Sequence, residues 1–194
     1  MSSTQQQRPT GKPGRYQRSA VSLVTSLVVT ILAVGAVLTF MGAFRNDYER
    51  RPDRVDYLDT VRTLQQAQQR PVYPASLPQG WTATGVDVPT PDDPGTMIRL
   101  LTDSGRFIGV RQEDASPLSL TRKWVDEDPE TVEGYTVPAS VATPVAREWK
   151  GWADSGGDSA YTAEIGGTSV IVFGSASRAD LREVVDSLTT APLG

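Results

Sequence analysis

Apolar and polar positions along the chain fall into three regimes. Residues 20–44 hold no charged residue and no proline, and form one continuous apolar run between Arg18 and Arg45. As a helix rising 1.5 Å per residue the run would reach about 37 Å, enough to cross a hydrocarbon core of about 30 Å with some tilt. A cleaved signal would have a shorter apolar region, roughly 7–15 residues, ending in a small-x-small site. Met41-Gly42-Ala43 fits such a site poorly. The run therefore predicts a retained transmembrane helix. On either side lie a basic tail (residues 1–19) and a juxtamembrane linker with a helix (45–70), and residues 71–194 make up one domain of ordinary size.

In the second regime the period is helical. Val55, Leu58, Val61 and Leu64 recur every three residues among polar neighbours. They predict a helix over 53–69, capped by Asp53 and ended by Pro71 and Pro74. The apolar stripe is narrow, so this helix needs a surface to pack on.

The third regime alternates. Residues 81–88, 96–102 and 106–113 read as strands, the last two joined through Asp103-Ser104-Gly105 as a hairpin. Residues 116–127 predict a short helix with Ser116 as cap, Pro117 in the first position and Leu120, Trp124 and Val125 facing inward. The acid run that follows stops it. Residues 135–137, 144–149 and the neighbourhood of Trp152 read as short strands or extended loops. Residues 160–165 and 168–173 form the clearest hairpin, around Gly166-Gly167. Val170-Ile171-Val172-Phe173 is apolar on both faces, the mark of a covered central strand. Ser177 and Asp180 open a closing helix to Leu188, with Leu181, Val184, Val185 and Leu188 on one face. The sum is α+β: an antiparallel sheet of about five or six strands with packed helices, preceded by the one transmembrane helix.

Charge sharpens the membrane reading. Residues 1–18 carry Arg8, Lys12, Arg15 and Arg18 and no acid, a net +4; the other 15 basic and 23 acidic side chains give the rest −8. The far flank of the run also holds four arginines, Arg45, Arg50, Arg51 and Arg54, but interleaves them with Asp47, Glu49, Asp53 and Asp56. The purely basic tail is expected in the cytoplasm and the acidic domain outside. An acidic domain argues against nucleic acid, where binding depends on neutralising phosphates. Ser22, Ser26 and Thr30 repeat every four residues inside the run, as do Gly35 and Thr39. That spacing suits close helix approach and a homodimer through the span, although ordinary tolerance of small residues explains it as well.

Composition then removes chemistries. The chain has no cysteine and no histidine. Disulfides, thiol nucleophiles, a lipidated cysteine anchor and any triad built on histidine are excluded. No Ser-x-x-Lys, Gly-x-Ser-x-Gly or phosphate-cradling glycine motif occurs. The acid groups Asp92/Asp93, 126–130 and Asp154/Asp158 lack the spacing of a calcium loop and read as solvated surface. No metal or cofactor is expected, and no catalytic residue stands out. One segment invites a binding role. In Trp149-Lys150-Gly151-Trp152 two indoles flank a flexible pair. If exposed, they would stack on a sugar or peptide; if buried, they are core.

The ordered set of a basic tail, one span, Arg54-Val55-Asp56-Tyr57, the lead-in Tyr73-Pro74 and Leu77-Pro78-Gln79-Gly80-Trp81, the Gly105 hairpin, Arg147 to Trp152, Gly166-Gly167-Thr168 and the Asp180-Leu181 helix covers nearly the whole chain. It resembles an uncharacterised family of single-span envelope proteins of high-GC Gram-positive bacteria, a domain of unknown function. The lead-in also looks like that of the outer domains of some membrane-bound sigma-factor regulators and lipoprotein-carrier-like proteins. The resemblance implies no catalytic residues. The expectation is a non-enzymatic, membrane-tethered envelope domain that binds a protein or a cell-wall or lipid component. The alternative is a carrier holding an apolar ligand between sheet and helices, and an enzyme is the least favoured class.

Overall fold

The computed structural model describes residues 27–34, 37 and 53–194. The chain divides into two compact units, residues 1–51 and 52–194. In the first, the described residues are helical, and Leu27, Val28, Val29, Ile31, Leu32, Val34 and Val37 are all exposed. Among the described residues no helix is long and apolar enough to cross a membrane. The tail at 1–19, the rest of the expected span at 20–44 and the linker up to residue 52 lie outside the described residues.

The second unit contains helices α1 (Tyr57–Gln66), α2 (Pro117–Trp124) and α3 (Arg178–Ser187). Its strands are β1 (Tyr73–Pro74), β2 (Thr82–Asp87), β3 (Thr96–Leu101), β4 (Phe107–Glu113), β5 (Glu130–Thr136), β6 (Glu148–Ala153), β7 (Ser159–Ile165), β8 (Thr168–Gly174) and β9 (Leu188–Thr189). Seven strands form one antiparallel sheet in the order β2-β3-β4-β8-β7-β6-β5, while β1 and β9 pair separately. The α+β expectation holds, with a larger sheet than the five or six strands expected. The additional pairing comes from β5 and β6. β5 is a full strand although it starts inside the acid run and is exposed over most of its length, so it shows no apolar alternation.

The sheet is covered on both sides. One face packs Ile98, Leu100, Ile108, Val110, Val170 and Val172 against Tyr57 and Val61 of α1 and Leu181, Val184 and Val185 of α3. The other packs Met97, Ile171 and Phe173 against Leu120 of α2, with Phe107 and Trp124 beside them. β8, fourth of seven, therefore sends alternate side chains into two cores, and Val170, Ile171 and Val172 have no solvent exposure. This is the physical reason for its unbroken apolar run.

Local chemistry sets the connections. The β7–β8 turn uses Gly166 (φ 61°) and Gly167 (φ 90°), the left-handed pair that a tight two-residue hairpin demands. Ser177 and Asp180 form a reciprocal capping box on α3. The first helix is shorter than expected. Its cap is Asp56, whose Oδ1 accepts from the Leu58 amide, in place of Asp53. The cause lies one residue earlier: the Val55 N–H donates to Ala83 O (2.9 Å), which holds that part of the chain against the edge of β2 and outside the helix. The 188–193 segment fastens the other end of α1. Gln65 Nε2 donates to Ala191 O (2.9 Å), the Leu193 N–H donates to Gln65 Oε1 (2.8 Å), and Tyr73 Oη donates to Ala191 O (2.6 Å). The second helix ends at Trp124, so Trp124 and Val125 are half-buried at its end.

Leu181 is fully buried where α3 meets the sheet. Leu181→Ala is expected to cost about 2–5 kcal/mol by leaving a cavity there, read as a lower denaturant midpoint at unchanged m-value.

Candidate functional site

β6 is hydrogen-bonded on both sides, to β5 and β7, so Trp149-Lys150-Gly151-Trp152 is strand backbone. Residues 149 and 152 differ in parity and point to opposite faces. Trp149 (2% exposed) belongs to the α1/α3 core and donates from Nε1 to Ala146 O (3.2 Å). Trp152 (4% exposed) belongs to the α2 core and donates to Thr162 Oγ1 (2.8 Å). Lys150 is exposed, with Nζ 4.1 Å from the centre of the Trp152 ring. The exposed stacking surface considered from the sequence is thus not formed; both indoles are core. Gly151 is small for a packing reason: a Cβ there would lie 2.1 Å from Glu133 O, where the bulged part of β5 crosses.

A groove of about 840 Å³ runs between residues 54–58 and residues 75–83. The first turn of α1 forms one wall and the proline-rich lead-in the other. Tyr57 Oη donates to Pro74 O (2.8 Å), and buried Trp81 donates its backbone N–H to Pro78 O (3.1 Å), so both walls are braced. Gly80 (φ 86°) supplies the left-handed turn before Trp81. Arg54, Asp56 and Gln79 make part of the lining polar, whereas Leu58, Leu77 and Pro78 make the rest apolar.

The densest charge cluster was not legible in the sequence. Arg111 on β4 has a fully buried side chain, bonded to Glu113 Oε2 (2.7 Å) and, through both terminal nitrogens, to the carboxylate of Asp93. Its guanidinium stacks 4.7 Å from the Trp124 ring centre, and Lys123 lies 3.5 Å from Glu113. Gly95 leaves room for the guanidinium; a Cβ there would come within 2.4 Å of it. The 89–95 loop thus closes over a buried cation. Asp93 is held below the ordinary carboxylate range by the hydrogen bonds from Arg111, against some desolvation and with help from the charges of Arg111 and Lys123. The signal available was Arg111 in register with Gly109 and Glu113 on one strand face, one residue from the apolar positions.

A second polar group ties α3 to the sheet. Tyr135 Oη donates to the Asp186 carboxylate (2.9 Å to Oδ2), and Arg182 donates from Nε to Tyr161 Oη (2.9 Å) while lying over both tyrosine rings. The Tyr135 phenol is pushed up to about 12, first by desolvation and then by its bond to Asp186.

The other two acid groups are engaged with their own loops. Asp154 Oδ1 accepts from the Gly157 and Asp158 amides, an internal loop closure. Asp126 Oδ1 likewise accepts from the Asp128 amide. Among the described residues no group of three or more Asp or Glu side chains converges as a metal-ligand set.

These features define an α+β domain whose buried polar side chains lock loops and helices onto a filled sheet. The chain belongs to the family described as a protein of unknown function (DUF4245), which matches residues 15–188. No curated protein matches it.

Arg111→Met would leave the nearly buried Glu113 beside Asp93 without its main partner. The expected cost is about 3 kcal/mol, the lower end for a broken buried pair because Lys123 remains close. Asp93→Asn tests the pH side. A carboxylate with a depressed native pKa adds stability above its unfolded value and loses it as pH falls from about 4 through the native value. The acid limb of a stability–pH curve should therefore be shallower in D93N than in the wild type.

Proposed function

We propose that the chain is a membrane-tethered extracytoplasmic domain of the cell envelope that binds a partner and does not catalyse a reaction. The tail at 1–19 would sit in the cytoplasm, the 20–44 run would span the bilayer, and residues 71–194 would lie outside. The charge-free run, its exposed Leu27, Ile31 and Leu32, and the contrast between a +4 tail and a −8 remainder support the tether.

The observation that carries binding over carriage is the filling of both sheet faces. An internal carrier needs a cavity of several hundred Å³ with apolar walls. Here the space between the sheet and its helices is taken up by side chains such as Ile98, Ile108, Val172 and Leu181, all without exposure. Recognition is then left to the outside of the domain. The absence of histidine and cysteine, together with acids engaged in internal bonds, supports a non-enzymatic role.

Protease treatment of intact cells should remove a C-terminal epitope and spare one placed before residue 18. A surviving C-terminal domain would overturn the topology. Full-length protein purified in mild detergent and extracted with organic solvent should yield no stoichiometric lipid beyond the annular background of an unrelated single-span protein. A retained equimolar lipid would favour the carrier.

A further inference from the structure

The two edges of the sheet are treated differently. At the β2 edge, the Val55 N–H already occupies Ala83 O, and α1 packs alongside. At the other edge β5 pairs with β6, and no described strand pairs with its outer side. The Val137 N–H donates inward to Arg147 O, so strand alternation turns the N–H and C=O of Thr136 outward. Glu130, Thr131, Glu133, Gly134 and Thr136 are all exposed. An unpaired strand edge of this kind is a template for another strand.

Its charge selects the occupant. Residues 125–146 hold Asp126, Glu127, Asp128, Glu130 and Glu133 and no lysine or arginine. A second copy pairing antiparallel would bring Glu130 and Glu133 of the two β5 strands together, each facing the other in one register, and like charges across a strand pair are destabilising. An anionic bilayer surface would be repelled in the same way. The bulge between Val132 and Tyr135 further discourages a long, flat self-pairing. What remains compatible is a short extended segment carrying lysine or arginine, which gains both backbone bonds and charge complementarity.

We propose that the outer edge of β5 docks an extended, basic segment of a partner protein as an eighth strand of the sheet. This rests on the reading of the domain as a partner-binding module and adds the surface and the chemistry of the ligand. Glu130 and Glu133 select for positive charge, and the outward backbone of Thr136 and its alternating neighbours supplies the strand pairing.

The test uses the full chain in nanodiscs of zwitterionic lipid and a fluorescent nonapeptide alternating arginine with valine or threonine, followed by anisotropy. Controls are the same peptide N-methylated at alternate residues and a version with glutamate for arginine. The plain peptide should bind, and both controls should bind at least about tenfold more weakly. Glu130→Lys/Glu133→Lys and, separately, Thr136→Pro should each weaken the plain peptide by a similar factor with circular dichroism unchanged. Equal binding of the N-methylated peptide would reduce the effect to bulk charge and overturn the edge; so would indifference to both variants. Photo-crosslinking in membranes separates this from the parent reading. Crosslinks to one protein from position 131 but not 79 support the edge. Crosslinks from position 79 alone overturn the edge and keep partner binding, and none from either overturns both.

Discussion

The structure depends on the burial of one strand from both sides. β8 carries Val170 and Val172 into the core under α1 and α3, and Ile171 and Phe173 into the core over α2. Each of these side chains leaves water completely or nearly so. Full burial of an aliphatic side chain contributes about 1.5–3 kcal/mol, so four consecutive positions outweigh any single polar interaction in the domain. The burial also fixes the order of everything else. β4 and β7 must flank β8, and the helices must divide between two faces, because neither face can be left wet.

The polar interactions serve position more than stability. Arg111 is the clearest case. A buried guanidinium is costly unless paired, and here two carboxylates and an indole face surround it. The arrangement pins the 89–95 loop and the end of α2 to one point on β4. The Tyr135–Asp186 bond and the Arg182–Tyr161 bond do the same for α3 at the far side of the sheet. These clusters resemble active sites in composition, with paired acids, arginines and a phenol of raised pKa. They differ in aim: their atoms face one another and hold elements together.

Where local sequence decides local structure, the elements were legible. Gly166-Gly167 and Gly105 announced the two hairpins, Ser177 with Asp180 the last helix, and the apolar run from Val170 the central strand. Legibility failed where tertiary contacts decide. Asp53 reads as the cap of the first helix because the bond from the Val55 N–H to Ala83 O, which moves the start to Asp56, leaves no local signal. Only the end of β5, from Tyr135, reads as strand, because the bulge between Val132 and Tyr135 breaks the alternation of its inward side chains. The segment around Trp149 and Trp152 is open to both an exposed and a core reading because Lys150-Gly151 suggests flexibility, whereas Gly151 makes room for the backbone of β5. Arg111 was missed because an isolated arginine in a strand normally means surface.

The position of β8 in the chain has a consequence for biosynthesis. The strand that both cores require is synthesised after β2 to β7. Until residue 174 follows, β4 and β7 lack the neighbour that joins them, and the sheet consists of two separate halves, β2-β3-β4 and β5-β6-β7. Neither half has its complete face to bury, and contacts of such long sequence separation form slowly. The strand order therefore leaves both cores incomplete until β8 is present, and the two halves of the sheet can join only after nearly all of the domain has been made.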